Sequence, residues 1–118
     1  MSSTKDYYNN DEETKYRVIL SRCYYAAFHL AKEFVAKHKL ESLYASGEHD
    51  RVIFYLKNPA KGTADFKRSC IRLSTILSRL KKNRVLADYE RDAVITELDV
   101  MDQINKTNEL IQEVKRLS

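Results

Sequence analysis

Chain reversal is what this sequence is least equipped for. Its 118 residues hold two glycines and one proline, the residues on which tight turns depend most. A many-stranded sandwich or barrel needs a reversal about every ten residues, so β-rich folds are excluded. Helix formers are abundant, strict apolar/polar alternation is scarce, and 118 residues suit one domain rather than two cores. An all-α fold follows, an up-and-down bundle of four main helices.

The helices can be placed from their punctuation. Residues 1–9 are small and polar, and read as a flexible N-terminus ahead of a single helical domain over 10–118. Asn10 with Glu13 three positions later reads as a capping box. Beyond it Tyr16, Ile19, Cys23, Ala27, Leu30 and Phe34 recur at helical spacing, and Val18, Tyr25, Ala26 and Phe28 add apolar character on other sides. A helix apolar around so much of its circumference is a central one, packed on several neighbours or across a dimer.

Ser46 is the expected cap of a short second helix that stops at Asn58-Pro59. Thr63 caps a third, with Phe66, Cys70, Leu73, Ile76 or Leu77, and Leu80 inward; the third helix ends near Asn83, and an irregular connection runs to Ile95. Thr96 and Asp99 cap a fourth, with Leu98, Met101, Ile104, Ile111, Val114 and Leu117 inward. The lengths expected are about 25, 11, 19 and 21 residues, with bounds good to about two to four.

Several function classes lack a foothold. No run approaches the ~20 apolar residues of a membrane span, and MSSTKDYYNN has no signal-peptide core. A cytoplasmic protein without a membrane partner is expected. Cys23 and Cys70 lie far apart among apolar neighbours, which fits two buried free thiols rather than a disulfide or a metal site. No phosphate loop, HExxH or zinc spacing occurs, so neither metal nor cofactor is expected.

Charge is more informative. Residues 61–91 carry 9 basic and 3 acidic side chains, a local +6, whereas 92–118 carry 3 basic and 6 acidic, a local −3. The basic residues Arg72, Arg79, Lys81, Lys82 and Arg84 make an RNA partner the natural expectation. The segment KKNRVLADYE adds Asp88 and Tyr89 to this group. Arg84 could clamp a phosphate while Tyr89 stacks on a base; alternatively, Arg84 and Asp88 pair across one turn and Tyr89 fills a gap between helices. His29 follows Tyr25 by four residues on one helix face, and fits a hydrogen-bonded interior or interface position as well as a catalytic one.

The residues Tyr24-Tyr-Ala-Ala-Phe-His-Leu-Ala31 resemble the YYAAFHxA signature of HEPN domains. Glu48-His49 resembles the family's second landmark, and Arg84-Val-Leu-Ala-Asp88-Tyr89 the RxxADY element of its stand-alone bacterial and archaeal branch. The similarity runs from about residue 15 to 117. It implies a helical bundle that often forms a homodimer and works in stress, toxin–antitoxin or phage-defence systems, commonly beside a small nucleotidyltransferase. In this reading Tyr24, Tyr25, His49 and Asp88 are motif residues. Nuclease members carry an arginine, then four to six residues, then a histidine, and cut RNA without metal. Here the matching positions hold Tyr89, Glu90 and Arg91, and a phenol with a pKa near 10 replaces imidazole poorly. The sequence therefore favours a non-catalytic RNA- or nucleotidyltransferase-associated module. A metal-independent endoribonuclease using Arg84 with Tyr89 or a histidine, His29 or His49, is the alternative, and a structural dimerisation or adaptor domain is a third.

Overall fold

The computed structural model describes residues 4–44 and 46–118, with side chains from Asp11 onward. Four helices account for most of it: α1 (Thr4–Lys37), α2 (Glu48–Lys57), α3 (Ala64–Tyr89) and α4 (Glu97–Leu117). No strand occurs among the described residues.

α1 and α3 form a central antiparallel pair. Arg17 meets the end of α3, Tyr24 meets Arg84, and Phe34 meets Phe66 near the start of α3. α4 covers one side of this pair and α2 covers the other; the two outer helices do not touch. α2 starts beside Tyr24 and Phe28, and the 58–63 loop then delivers the chain to Phe66. The short helix thus runs alongside α1, while α1, α3 and α4 alternate in direction. One core cluster spans α1, α2, α3 and the C-terminal half of α4, with Tyr24, Leu56, Leu73, Leu77, Leu80 and Leu110 fully buried. A smaller cluster of Leu20, Ala87, Ile95 and Val100 closes the other end. Each buried leucine contributes about 1.5–3 kcal/mol relative to exposure.

Two expected caps form as read. The Thr63 hydroxyl accepts from the Phe66 N–H at 3.1 Å. Thr96 and Asp99 exchange bonds at 3.3 and 2.8 Å, a complete capping box.

Other expectations are corrected. α1 already runs from Thr4, so Asn10 lies inside the helix and opens nothing. Residues 1–3 of the expected flexible segment lie outside the described residues, as do the side chains of 4–10. Gly47, not Ser46, is the N-cap of α2, and the Ser46 hydroxyl donates to Asp50 instead. α3 continues to Tyr89, so RVLADY is helical rather than a connection. The apolar face carries on through Leu80 and Ala87, and buried Arg84 lies on it too.

The faces also shift. On α1 the buried residues are Leu20, Tyr24, Ala27, Phe28, Ala31, Phe34 and Val35, while Tyr16, Ile19, Cys23 and Leu30 sit half-buried on one flank. On α4 the core takes Val100, Gln103, Thr107, Leu110 and Val114. Leu98, Met101 and Ile104, expected inward, are 75%, 51% and 40% exposed. α4 carries two apolar stripes, and the stripe holding two polar residues is the one buried. Gln103 and Thr107 find hydrogen-bond partners inside, which removes the usual penalty for burying them.

Candidate functional site

Facing turns of α1 and α3, with the first turn of α2, bring together most of the residues singled out between 24 and 89. Arg84 is the centre. It is 7% exposed, and its guanidinium carbon lies 5.3, 5.5 and 5.8 Å from the ring centroids of Tyr24, Tyr25 and Tyr89. Rings that close around a desolvated cation attract it through their quadrupoles. Asp88, one helical turn on, approaches an Nη of Arg84 to 3.6 Å. The Arg84 Nε–H is buried and has no partner.

His49 enters from α2. Its ring stacks on Phe28 at 4.2 Å and on Tyr24 at 5.5 Å, and its Nδ1 lies 2.5 Å from the Tyr24 hydroxyl. Burial, and then the positive charges of Arg84 and Lys81, hold the imidazole below its ordinary pKa. The neutral form is therefore favoured near pH 7. Burial pushes the Tyr24 phenol up to about 12, although nearby Arg84 works against it. Tyr24 thus stays protonated, and its ring carries both the guanidinium and the imidazole. Chemically, the cluster offers a fixed positive charge, a neutral imidazole and an exposed phenol, since Tyr89 is 70% exposed.

Other expected site residues lie elsewhere. His29 is exposed and meets only the edge of this group, its ring 5.6 Å from that of Phe28. Arg72 and Arg79 reach across to α4 and pair with Glu109 at 2.5 Å and Asp102 at 3.3 Å. Lys81 pairs with Asp50 at 2.5 Å, and that bond holds the Asp50 carboxyl below its ordinary range. Of the five basic residues expected to meet RNA, Lys82 alone is exposed and without an ion pair among the described residues. Carboxylates from outside the segment, Asp50, Asp102 and Glu109, thus answer three of the six excess positive charges of segment 61–91.

Two residues that position this region carry no motif. Arg17 sends one guanidinium nitrogen to the carbonyls of Leu86, Ala87 and Glu90, at 3.2, 2.9 and 3.0 Å. Its other nitrogen reaches Arg91 O, Ala93 O and the Glu13 carboxylate. A cation at a helix C-terminus satisfies carbonyls that the helix itself leaves open. It fixes the turn that presents Asp88 and Tyr89. Fully buried Gln103 donates to Leu20 O and Leu80 O, both at 3.1 Å, and accepts from Asn83 at 2.8 Å. One amide thereby ties α4 to both central helices. Its place in the 100, 103, 107, 110, 114 stripe was the available signal, concealed by the more apolar stripe beside it.

Among the described residues, no three His, Cys, Asp or Glu side chains gather as a metal site, and no helix is long and apolar enough to cross a membrane. A family model described as HEPN domain matches residues 2–117. No curated protein and no solved structure matches the chain.

Proposed function

The chain belongs to the HEPN domain family, and from that premise we propose that it serves as a non-catalytic, RNA- or nucleotidyltransferase-associated module. Its setting is a stress, toxin–antitoxin or phage-defence system, in which it works as a cytoplasmic homodimer. The observation that carries this reading is the state of Arg84. A guanidinium enclosed by three tyrosine rings and facing Asp88 is committed to holding α1 against α3. An RNA phosphate would have to displace a carboxylate and open the rings to reach it. The residue five positions on is Tyr89, not the histidine that the family's ribonucleases use for proton transfer. RNA contact then falls to Lys82 first, and to Arg72, Arg79 and Lys81 only in competition with their carboxylates, so affinity is modest and strongly salt-dependent.

The test is fluorescence anisotropy with a labelled single-stranded RNA. Binding at low ionic strength, weakened by added salt and by Lys82→Ala, is the expected result; no binding at low salt refutes the reading.

One observation favours a second reading, a metal-independent endoribonuclease. His49 and Arg84 share the Tyr24 ring, so the imidazole missing from α3 is supplied from α2. Arg84 would steady the phosphate and neutral His49 would accept a proton. RNA cleavage in EDTA that disappears in both Arg84→Lys and His49→Ala supports this reading. Cleavage that persists in both is contamination and removes it.

A further inference from the structure

Between α1, α2 and the loop that joins them lies a cavity of about 340 Å³ that no side chain of the bundle fills. α1 is closed by a left-handed residue, Lys39 at φ 53°, and the Leu40 N–H bonds to Val35 O at 3.0 Å. Leu40 is buried and pins the chain there. Four residues on, the Tyr44 ring lies flat against Phe54 of α2, their centroids 4.0 Å apart. The stretch between these anchors borders the cavity without filling it, for Leu43 is fully exposed.

The floor is apolar apart from one group. Val35 from α1 and Val52 and Tyr55 from α2 line it, all at least nine-tenths buried. The Tyr55 hydroxyl has no hydrogen-bond partner among the described residues and is not sealed from solvent. A buried phenol normally has a partner, so this one is left to whatever enters the cavity.

The rim carries two opposite charges that do not pair. Glu41 from the loop and Arg51 from α2 both line the cavity and are exposed, and neither side chain makes a hydrogen bond or ion pair among the described residues. Glu48, whose carboxyl feels the charge of Arg51, is bonded to Lys32 instead. Solvated surface charges are ordinary, but here an anion and a cation flank one apolar floor. A purely apolar ligand would use neither charge, and a simple anion would use neither Glu41 nor the floor. A ligand with a carboxylate, an ammonium group and an apolar body uses all three. Small-molecule sites start at about 300 Å³, so that body is small.

We infer that this cavity binds a free α-amino acid with an apolar side chain. Its carboxylate meets Arg51, its ammonium group meets Glu41, and its side chain lies over Val35, Val52 and Tyr55. The Tyr55 hydroxyl supplies one further bond to the ligand's polar end. The site is separate from the Arg84 cluster, because Arg51 and Tyr55 stand one turn apart on one face of α2 while His49 stacks on Tyr24 and Phe28. The inference does not depend on whether the chain binds RNA.

The experiment is calorimetric titration of the full chain with L-leucine, alongside amide mapping by NMR. Saturable binding is expected, with shifts confined to residues 35–36, 41–44 and 51–55. N-acetyl-L-leucine lacks the ammonium group, L-leucinamide lacks the carboxylate and glycine lacks the apolar body; each should bind at least about tenfold more weakly. Glu41→Gln should bind L-leucine and N-acetyl-L-leucine alike, and Arg51→Gln should bind L-leucine and L-leucinamide alike. A merely structural role of either residue would not produce that loss of discrimination. Tyr55→Phe should lose affinity several-fold at an unchanged thermal melt. No saturation at about 10 mM L-leucine or L-phenylalanine overturns the inference. N-acetyl-L-leucine binding as tightly as L-leucine also overturns it, and would make the cavity a seat for a simple carboxylate or a peptide's carboxyl terminus. Shifts centred on Tyr24, His49 and Arg84, or discrimination that survives both charge substitutions, refute it as well.

Discussion

Replacing Gln103 with leucine tests whether one buried amide holds three helices together. The substitution keeps most of the side chain's volume and removes three hydrogen bonds, those to Leu20 O, Leu80 O and from Asn83. At about 1 kcal/mol net for each, the gross loss is about 3 kcal/mol. Two corrections reduce it. The carbonyls of Leu20 and Leu80 lie within helices, where each also accepts from an N–H one turn on, so neither is orphaned. Leucine also gains apolar burial at a site with no exposure, worth about 1 kcal/mol. The net expectation is a loss of about 2 kcal/mol. For a domain of this size that lowers the melting temperature by about 8 °C. Urea denaturation should show a lower midpoint at unchanged slope, because the surface exposed on unfolding hardly changes. Gln103→Ala adds a cavity and should cost about 1–2 kcal/mol more. Asn83→Ala in the Gln103→Leu background should cost less than in wild type, since the bond it breaks is already gone. A Gln103→Leu variant as stable as wild type would refute the reasoning, and would mean that apolar packing alone holds α4 in place.

Three further outcomes are expected. Arg17→Ala should cost about 2–3 kcal/mol, because a side chain only 19% exposed gives up bonds to five carbonyls; amide exchange over residues 86–93 should speed up before the rest of α3. Gly62→Ala should cost about 1–3 kcal/mol, since φ is +112° and a Cβ there would lie 2.5 Å from the Phe66 ring; denaturant midpoints measure it, and a neutral result would show that Phe66 yields freely. Acidification should destabilise the fold first through histidine. His49 and His38 are both held below the ordinary 6.5, chiefly by burial. The unfolded chain therefore takes up their protons first; the stability they contribute is complete above pH 6.5 and is lost as pH falls from there through their folded values. The carboxylates held down by Lys81, Lys32, Arg72 and Arg116 contribute only at lower pH. His49→Gln should flatten the loss between pH 6.5 and 5 in denaturant melts.

Helix number, type and two of the caps were legible because they rest on local rules: Thr63 and Thr96 each stand just before an apolar-periodic run, and Pro59 and Gly62 mark the clearest break. The RVLADY segment misled because Asn83, Arg84 and Asp88 look like a helix end when their partners are not in view. Asn83 bonds to Gln103, and Arg84 is covered by rings contributed mostly by α1. α4 misled in the opposite sense. Periodicity ranks stripes by apolar content, and Leu98, Met101 and Ile104 outrank Gln103 and Thr107 by that measure. The choice between the stripes rests on hydrogen bonds to α1 and α3, which no window of α4 contains. At the site, the motif letters named Tyr24, Tyr25, His49, Arg84, Asp88 and Tyr89, which the fold brings side by side, and also His29, which it leaves at the edge. That depends on how the chain between α1 and α2 returns.

The grip of Arg17 on the last turn of α3 has a mechanical consequence. Its acceptors lie 69 to 76 residues away in the chain, yet one guanidinium makes the first half of α1 and the 86–93 segment a single lever. Any partner that draws Tyr89 outward by unwinding the end of α3 also pulls on the first half of α1. A disturbance at the chain's leading helix travels the reverse way, to the aromatic lid over Arg84.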